Sequence, residues 1–373
     1  MASRCREMQE AGIDVISMSL GEPDMDTPPH IRRAAQESID NHWSHYGPVA
    51  GLSSLRTAVA AQQNNQPDNA ILWTGEDVLV SVGAKMAIHN AIQASINPGD
   101  EVIIPTPSWV SYSEIVKLCE GVVVAVETRF EDRYCLTPEQ LRAVLTDRTR
   151  MLILCSPNNP TGSVYNRKQL EELVEVLRDF PNVIVLSDEI YSSLSYQGDA
   201  PGMAGFPELQ DRLIVVNGVS KAYAMTGYRI GWLMTKDKAF LSACTRLQGQ
   251  QLTCATVVAQ KAAEAALMGP KECVEKMRGI FAERRALICR LASDIRGLRF
   301  HEPQGAFYLF PDVSAIGSGD EVAEILLEKA HVATVSGSAF GCPSCIRLSY
   351  AISTEEITEA MRRIKETIES IYE

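Results

Sequence analysis

No apolar run in this 373-residue chain approaches the ~20 residues that a membrane-spanning helix needs, so no membrane span is expected. The first residues, MASRCREMQEAG, are charged and lack an apolar core, so no secretory signal is visible there. Basic charge is also short. Lys and Arg number 35 against 47 Asp and Glu, a net charge of −12, which argues against nucleic acid or an anionic membrane as partner. A local positive pocket for an anionic substrate stays open. The ten cysteines lack the paired spacing of a zinc site, and Cys342-Pro-Ser-Cys345 is a lone CxxC, so incidental thiols in a reducing cytoplasm are expected. His42 and His45 have no carboxylate or cysteine that completes a metal cluster, and no metal is expected. Internal repeats, low-complexity segments and long linkers are missing too. The remaining composition, 46% hydrophobic and 22% charged, is that of a soluble globular enzyme, long enough for two domains packed together.

The middle of the chain alternates short apolar runs with amphipathic stretches. Asp77–Val82, Glu101–Pro105, Val122–Val126, Met151–Cys155, Val183–Ser187 and Leu213–Val216 read as strands buried on both faces, and Ile230–Met234 has the pattern of another. Between them, Ala84–Ile96 places Ile88, Ala91, Ile92 and Ile96 on one side of a helix. This alternation predicts an α/β fold with a mostly parallel, doubly wound sheet. After about residue 270 a long helix, Glu272–Ser293, is followed by strands near Gly305–Phe310, Val332–Val335 and Cys345–Tyr350. A last helix is opened by the capping box Ser353-Thr-Glu-Glu356, with Ile357, Met361, Ile364, Ile368 and Ile371 as its apolar stripe. That tail reads as a smaller α+β domain.

The segment with the most chemistry is Gly218–Gly231, GVSKAYAMTGYRIG. It sets Lys221 beside Ser220 and eight residues before Arg229, at the end of a strand. A lysine partly discharged by its surroundings forms a Schiff base with an aldehyde, and serine with arginine is a phosphate grip. An aldehyde carrying a phosphate describes pyridoxal phosphate; a solvated lysine in a strand–loop–strand is the plain alternative. Ligands of a doubly wound sheet bind at the carboxyl ends of its strands, and three further groups fall there. Gly83 and Ala84 open a helix whose free N–H groups attract phosphate. Ser156-Pro-Asn-Asn-Pro-Thr-Gly162 holds Asn158 and Asn159 stiffly, where one Asn-Pro turn would need only one of them. Asp188 ends a buried strand, where a protonated ring nitrogen would compensate its charge or a helix cap would use it, and Tyr191 lies three residues on. Trp109 could stack on a flat cofactor or fill a core, and Arg347 could grip a carboxylate or form a rim salt bridge.

At these motifs the chain resembles the class I and II aminotransferases of pyridoxal phosphate fold type I, the aspartate aminotransferase superfamily. The resemblance runs from about Met18 to the C-terminus through LGEPDMDTP, YGPVAGLSSLR, SVGAK, PSWVSY, SPNNPTG, SDEIY, SKAYAMTGYRIGW, GAFY and RLSYA. It implies a large cofactor domain over residues 23–270 and a small domain made of 1–22 and 271–373. It implies that Lys221 binds the aldehyde and shuttles the proton, that Asp188 pairs with the ring nitrogen, and that Asn159 and Tyr191 bond the ring oxygen. Trp109 would stack on the ring. Gly83, Ala84, Ser220 and Arg229 would hold the phosphate, with Tyr46 reaching across from a second subunit of a homodimer with shared sites. Arg347 would clamp the substrate α-carboxylate, with Gly21 lining the same pocket. Lys85 is similar to a subgroup, bacterial-type aspartate and glutamate–prephenate aminotransferases, in which a lysine receives a distal carboxylate; a lysine pointing to solvent is its alternative. Relatives usually carry a further segment before the helix that begins here near Ser3, so contacts made from that segment are not carried over.

The expected function is therefore transfer of an amino group between an amino acid, aspartate or glutamate first, and a 2-oxo acid. Two competitors keep the cofactor: C–S β-elimination on the same fold, and a non-catalytic regulator core, against which the acidic charge and the lack of a flanking DNA-binding segment argue.

Overall fold

The computed structural model describes residues 2–198 and 200–372. In chain order its strands are β1 (Ile16–Ser17), β2 (Val78–Val82), β3 (Glu101–Thr106), β4 (Val122–Glu127), β5 (Thr149–Cys155), β6 (Ile184–Asp188), β7 (Leu213–Gly218), β8 (Ile230–Met234), β9 (Tyr308–Leu309), β10 (Val332–Ala333), β11 (Val335–Ser336) and β12 (Ile346–Ser349). Seven of them form the main sheet in the order β2-β8-β7-β6-β5-β3-β4. The sheet is parallel except for β8, which runs antiparallel between β2 and β7. Hence β2, β3, β5, β6 and β7 all deliver their carboxyl ends to one edge.

Strict alternation along these strands feeds two cores. Leu79, Ile153, Leu186 and Ile214 point to one face, under the helices Gly83–Ser95, Ser111–Leu118 and Lys238–Leu252. Val78, Val80, Leu152 and Val185 point to the other, under Ser53–Asn64, Arg167–Arg178 and Val257–Met268. With both faces covered, near-continuous Val, Ile and Leu runs are what the sheet requires. The run at Val122–Val126 departs from the expectation. β4 is the sheet's edge strand, Val122 is 46% exposed, and only Val126 is buried.

A third core belongs to the small unit, built from β9, β12 and the helices Glu272–Ser293 and Thr354–Glu369. β1 joins it by pairing parallel with β10, which ties the chain's first residues to its last third. The Ser353 box forms as expected, Ser353 Oγ accepting from the Glu356 N–H while the Glu356 carboxylate accepts from the Ser353 N–H. The helix stops at Glu369, so Ile371 falls beyond it and is 41% exposed rather than part of the buried stripe. The small-unit strands are two to four residues long, shorter than the apolar runs that mark them. The third core also takes in Tyr191 and Leu194 from just after β6, so the two units meet at the sheet's ligand edge.

Candidate active site

A cavity of about 360 Å³ opens at that edge, between the sheet and the small unit. Its floor is β6 and β7. Asp188, the last residue of β6, is 3% exposed, and burial pushes its carboxyl up to about 6. The Tyr112 hydroxyl opposes this by donating to Oδ2 at 2.6 Å, as does the Ile190 N–H, donating to Oδ1 at 3.1 Å. Both are neutral donors, so Asp188 keeps a carboxylate that a cationic ring nitrogen would match. Lys221 follows β7 and turns its Nζ into the same space, where it donates to the Gly21 carbonyl at 2.5 Å. Burial lowers its ammonium to about 8; the Glu22 carboxylate opposes that, and the Arg229 and Arg347 guanidiniums add to it. An amine discharged that far below a free lysine is a usable nucleophile near neutral pH.

A phosphate cradle lies at one end. Gly83 opens its helix at φ +76°, with no side-chain cap on the first N–H groups. A Cβ built on Gly83 would lie 2.5 Å from Arg229 Nη2, so only glycine lets the guanidinium close on the helix start. Arg229 is itself left-handed, φ 55°, and donates from Nη1 to the Thr226 carbonyl at 2.9 Å. Ala84, next along that helix, and Ser220 line the same cavity. Uncapped helix N–H groups with a guanidinium closed on them form an anion site, and a lining hydroxyl can add to it.

The other end is a carboxylate grip. Arg347 on β12 is 7% exposed, its guanidinium between the rings of Tyr308 at 4.5 Å and Phe340 at 5.0 Å. It donates from Nη1 to Asn159 Oδ1 at 2.9 Å and from Nη2 to the Ser19 carbonyl at 2.8 Å, while Nε has no partner. Among the described residues it forms no salt bridge, so the rim-pair alternative does not hold. Trp109 lines the cavity half-buried while also packing against the Leu79 core, and Lys85 Nζ sits over its ring at 4.8 Å. The Lys85 side chain is otherwise exposed, on the cavity's rim.

Thirteen side chains and backbone groups were expected here from the sequence, and the cavity collects all but Gly83, which lies behind Arg229, and Tyr46. Tyr46 is 89% exposed and away from this chain's cavity. Several residues escaped the sequence reading. Tyr112 holds Asp188 from three residues beyond Trp109, one helical turn on. The Tyr308 hydroxyl bonds that of Tyr191 at 2.9 Å. Glu22 accepts from Thr226 Oγ1 at 2.6 Å and brings a carboxylate to within reach of Lys221. Each sits inside a motif of interest (PSWVSY, GAFY, LGEPD), which was the available signal.

A lysine with a depressed pKa, an unmatched buried carboxylate and a glycine-gated phosphate cradle fit pyridoxal phosphate. Among the described residues no three His, Cys, Asp or Glu side chains come together as a metal site. The family model for aminotransferase class I and II matches residues 13–364. A bifunctional aspartate aminotransferase and glutamate/aspartate-prephenate aminotransferase from Petunia hybrida is 41% identical, covering 97% of this chain and 78% of that protein. An aspartate aminotransferase from Bacillus sp. strain YM-2 is also 41% identical, over 98% of this chain and 94% of its own. The crystal structure of the aspartate aminotransferase from Rhizobium meliloti superposes with a TM-score of 0.95 at 37% identity, covering 99% of this chain and 94% of that one.

Proposed function

This chain belongs to the class I and II aminotransferases, pyridoxal phosphate-dependent transaminases, and on that premise we propose that it exchanges amino groups between aspartate or glutamate and their 2-oxo acids. The observation that carries the reading is the convergence of Lys221, Asp188 and Arg347 on one cavity, with Lys85 at its rim. Bound pyridoxal phosphate supplies an aldehyde to carry the amino group and a cationic ring that withdraws electrons from the α-carbon.

The chain's own residues do the rest. Asp188 holds the proton on the ring nitrogen, and Tyr112 keeps Asp188 oriented for it. Asn159 and Tyr191 serve the ring oxygen, and burial keeps the Tyr191 phenol protonated as a donor. Gly83, Ala84, Ser220 and Arg229 anchor the phosphate, and Trp109 covers the ring face. Arg347 takes the substrate α-carboxylate in a two-pronged grip, already aligned by Asn159 and Ser19, with Gly21 beside it. The neutral Lys221 amine, the base nearest the reacting carbons, would take the α-proton and hand it across the amino nitrogen to the former aldehyde carbon, a role that its lowered pKa favours near pH 8.

Lys85 is the specificity element: its ammonium, already drawn to the Trp109 face, meets the distal carboxylate of a dicarboxylic substrate. The proposal includes a homodimer in which Tyr46 reaches the partner's phosphate site, supported by its near-complete exposure on the single chain. It also includes a cytoplasmic location, supported by ten free thiols. Lys85→Ala tests the substrate class. We expect kcat/KM for aspartate and glutamate to fall about tenfold more than for phenylalanine, since a hydrogen bond to a charged group contributes about 1.5–3 kcal/mol and the lower end applies at an exposed rim. Equal losses across the panel would remove the acidic-substrate assignment.

A further inference from the structure

Cys342 and Cys345 take no part in this chemistry, yet their loop touches two of its parts. Their sulfurs are 3.4 Å apart and both are free thiols. Cys345 is wholly buried against Phe310 and Phe340, whereas Cys342 is half-buried between exposed Gly341 and Pro343. Solvent therefore reaches the pair from the Cys342 side. The hydrogen bond between the sulfurs holds Cys342 below the ordinary thiol range and Cys345 above it. The more acidic thiol is the more accessible one, and the thiolate is the form that attacks.

We propose that Cys342 and Cys345 are a peroxide-sensitive pair that closes reversibly to a disulfide and, in closing, loosens the substrate grip. The second half of this rests on Arg347 holding the substrate carboxylate. The Cys342 thiolate attacks one peroxide oxygen, the O–O bond breaks, and the departing hydroxide leaves as water with a proton from solvent. The resulting sulfenic acid is attacked at sulfur by Cys345; the S–O bond breaks and hydroxide leaves as water with the Cys345 proton. Two thiols lose two electrons and one peroxide becomes two waters.

Closure must shorten 3.4 Å to about 2.05 Å. Cys345 is anchored, because its carbonyl accepts from the Gly337 N–H at 2.7 Å and β12 begins at the next residue. The movement falls on Cys342, whose N–H bonds the Gly337 carbonyl at 2.9 Å and whose chain leads back through Gly341 to Phe340. The Phe340 ring lies against the Arg347 guanidinium, and its carbonyl accepts from the Ser108 N–H at 3.0 Å, beside Trp109. Displacing Phe340 disturbs both.

The test treats holoenzyme with hydrogen peroxide, then reads the peptide spanning 342–345 by mass spectrometry and the kinetics of aspartate. The expected result is a loss of two hydrogens from that peptide, restored by dithiothreitol. With it, KM for aspartate rises on the order of tenfold, equivalent to about 1.4 kcal/mol of lost binding. A weakened substrate grip shows in KM, so kcat should stay within about twofold. Cys342→Ser should show neither change, and Cys342→Ala replaces it if serine disturbs the turn. Oxidation elsewhere without this crosslink overturns the pair; a crosslink with unaltered KM overturns its coupling to the site. Reduced enzyme that fails to transaminate would defeat the functional reading alone, because the mass measurement reads the crosslink independently.

Discussion

At the scale of single residues, Asp188 is held by opposing effects. Burial raises its carboxyl to about 6, and the Tyr112 hydroxyl limits that rise. Tyr112→Phe removes the donor, so the Asp188 pKa should climb and its carboxylate should protonate at higher pH. We therefore expect the acid limb of kcat/KM to move upward, with activity at pH 6 falling more than at pH 8; a loss equal at every pH would contradict the positioning role. Lys221 and Asp188 are legible in the sequence because strand ends announce them, and Arg347 because a lone guanidinium interrupts an apolar strand. Tyr112 and Tyr308 are not, because their roles are contacts across 76 and 117 residues of chain that no local pattern records. Lys85 lies between these cases: its position is readable, but the ring beneath its ammonium is not.

At the scale of elements, continuous Val, Ile and Leu runs locate each main strand to within two residues, since a two-sided sheet demands them. Which strand takes the edge is set by topology, so Val122–Val126 reads as buried throughout and is buried only at Val126. The small-unit strands are harder to bound because pairs of residues carry them. The junction of β2 with its helix makes an element-level prediction. Gly83→Ala would place a left-handed side chain, at about 1–2 kcal/mol of backbone strain, against Arg229. We expect roughly tenfold weaker retention of pyridoxal phosphate, since about 1.4 kcal/mol is a factor of ten. Equilibrium dialysis followed by absorbance measures it, and unaltered retention would show that the cradle lies elsewhere.

At the scale of the whole molecule, the cavity exists because two separately packed units meet over one sheet edge. Arg284, on the long helix Glu272–Ser293, reaches the segment after Glu22 in a bidentate pair with Asp24, 2.7 and 2.8 Å. Arg284→Gln should lower the free energy of unfolding by about 1.5–3 kcal/mol, the range for hydrogen bonds to charged groups. Denaturant titration would register it, and no change would mean that the pair is only incidental to the junction. The alternative chemistry on this fold, β-elimination, differs in what leaves the enzyme. The most direct test is therefore a single half-reaction, holoenzyme mixed with aspartate and no 2-oxo acid. One equivalent of oxaloacetate per site is expected, with no ammonia, and neither product from Lys221→Ala. No oxaloacetate from aspartate, continuous release of ammonia and pyruvate when a β-thio amino acid such as cystathionine replaces it, or full turnover of aspartate by Lys221→Ala would contradict this.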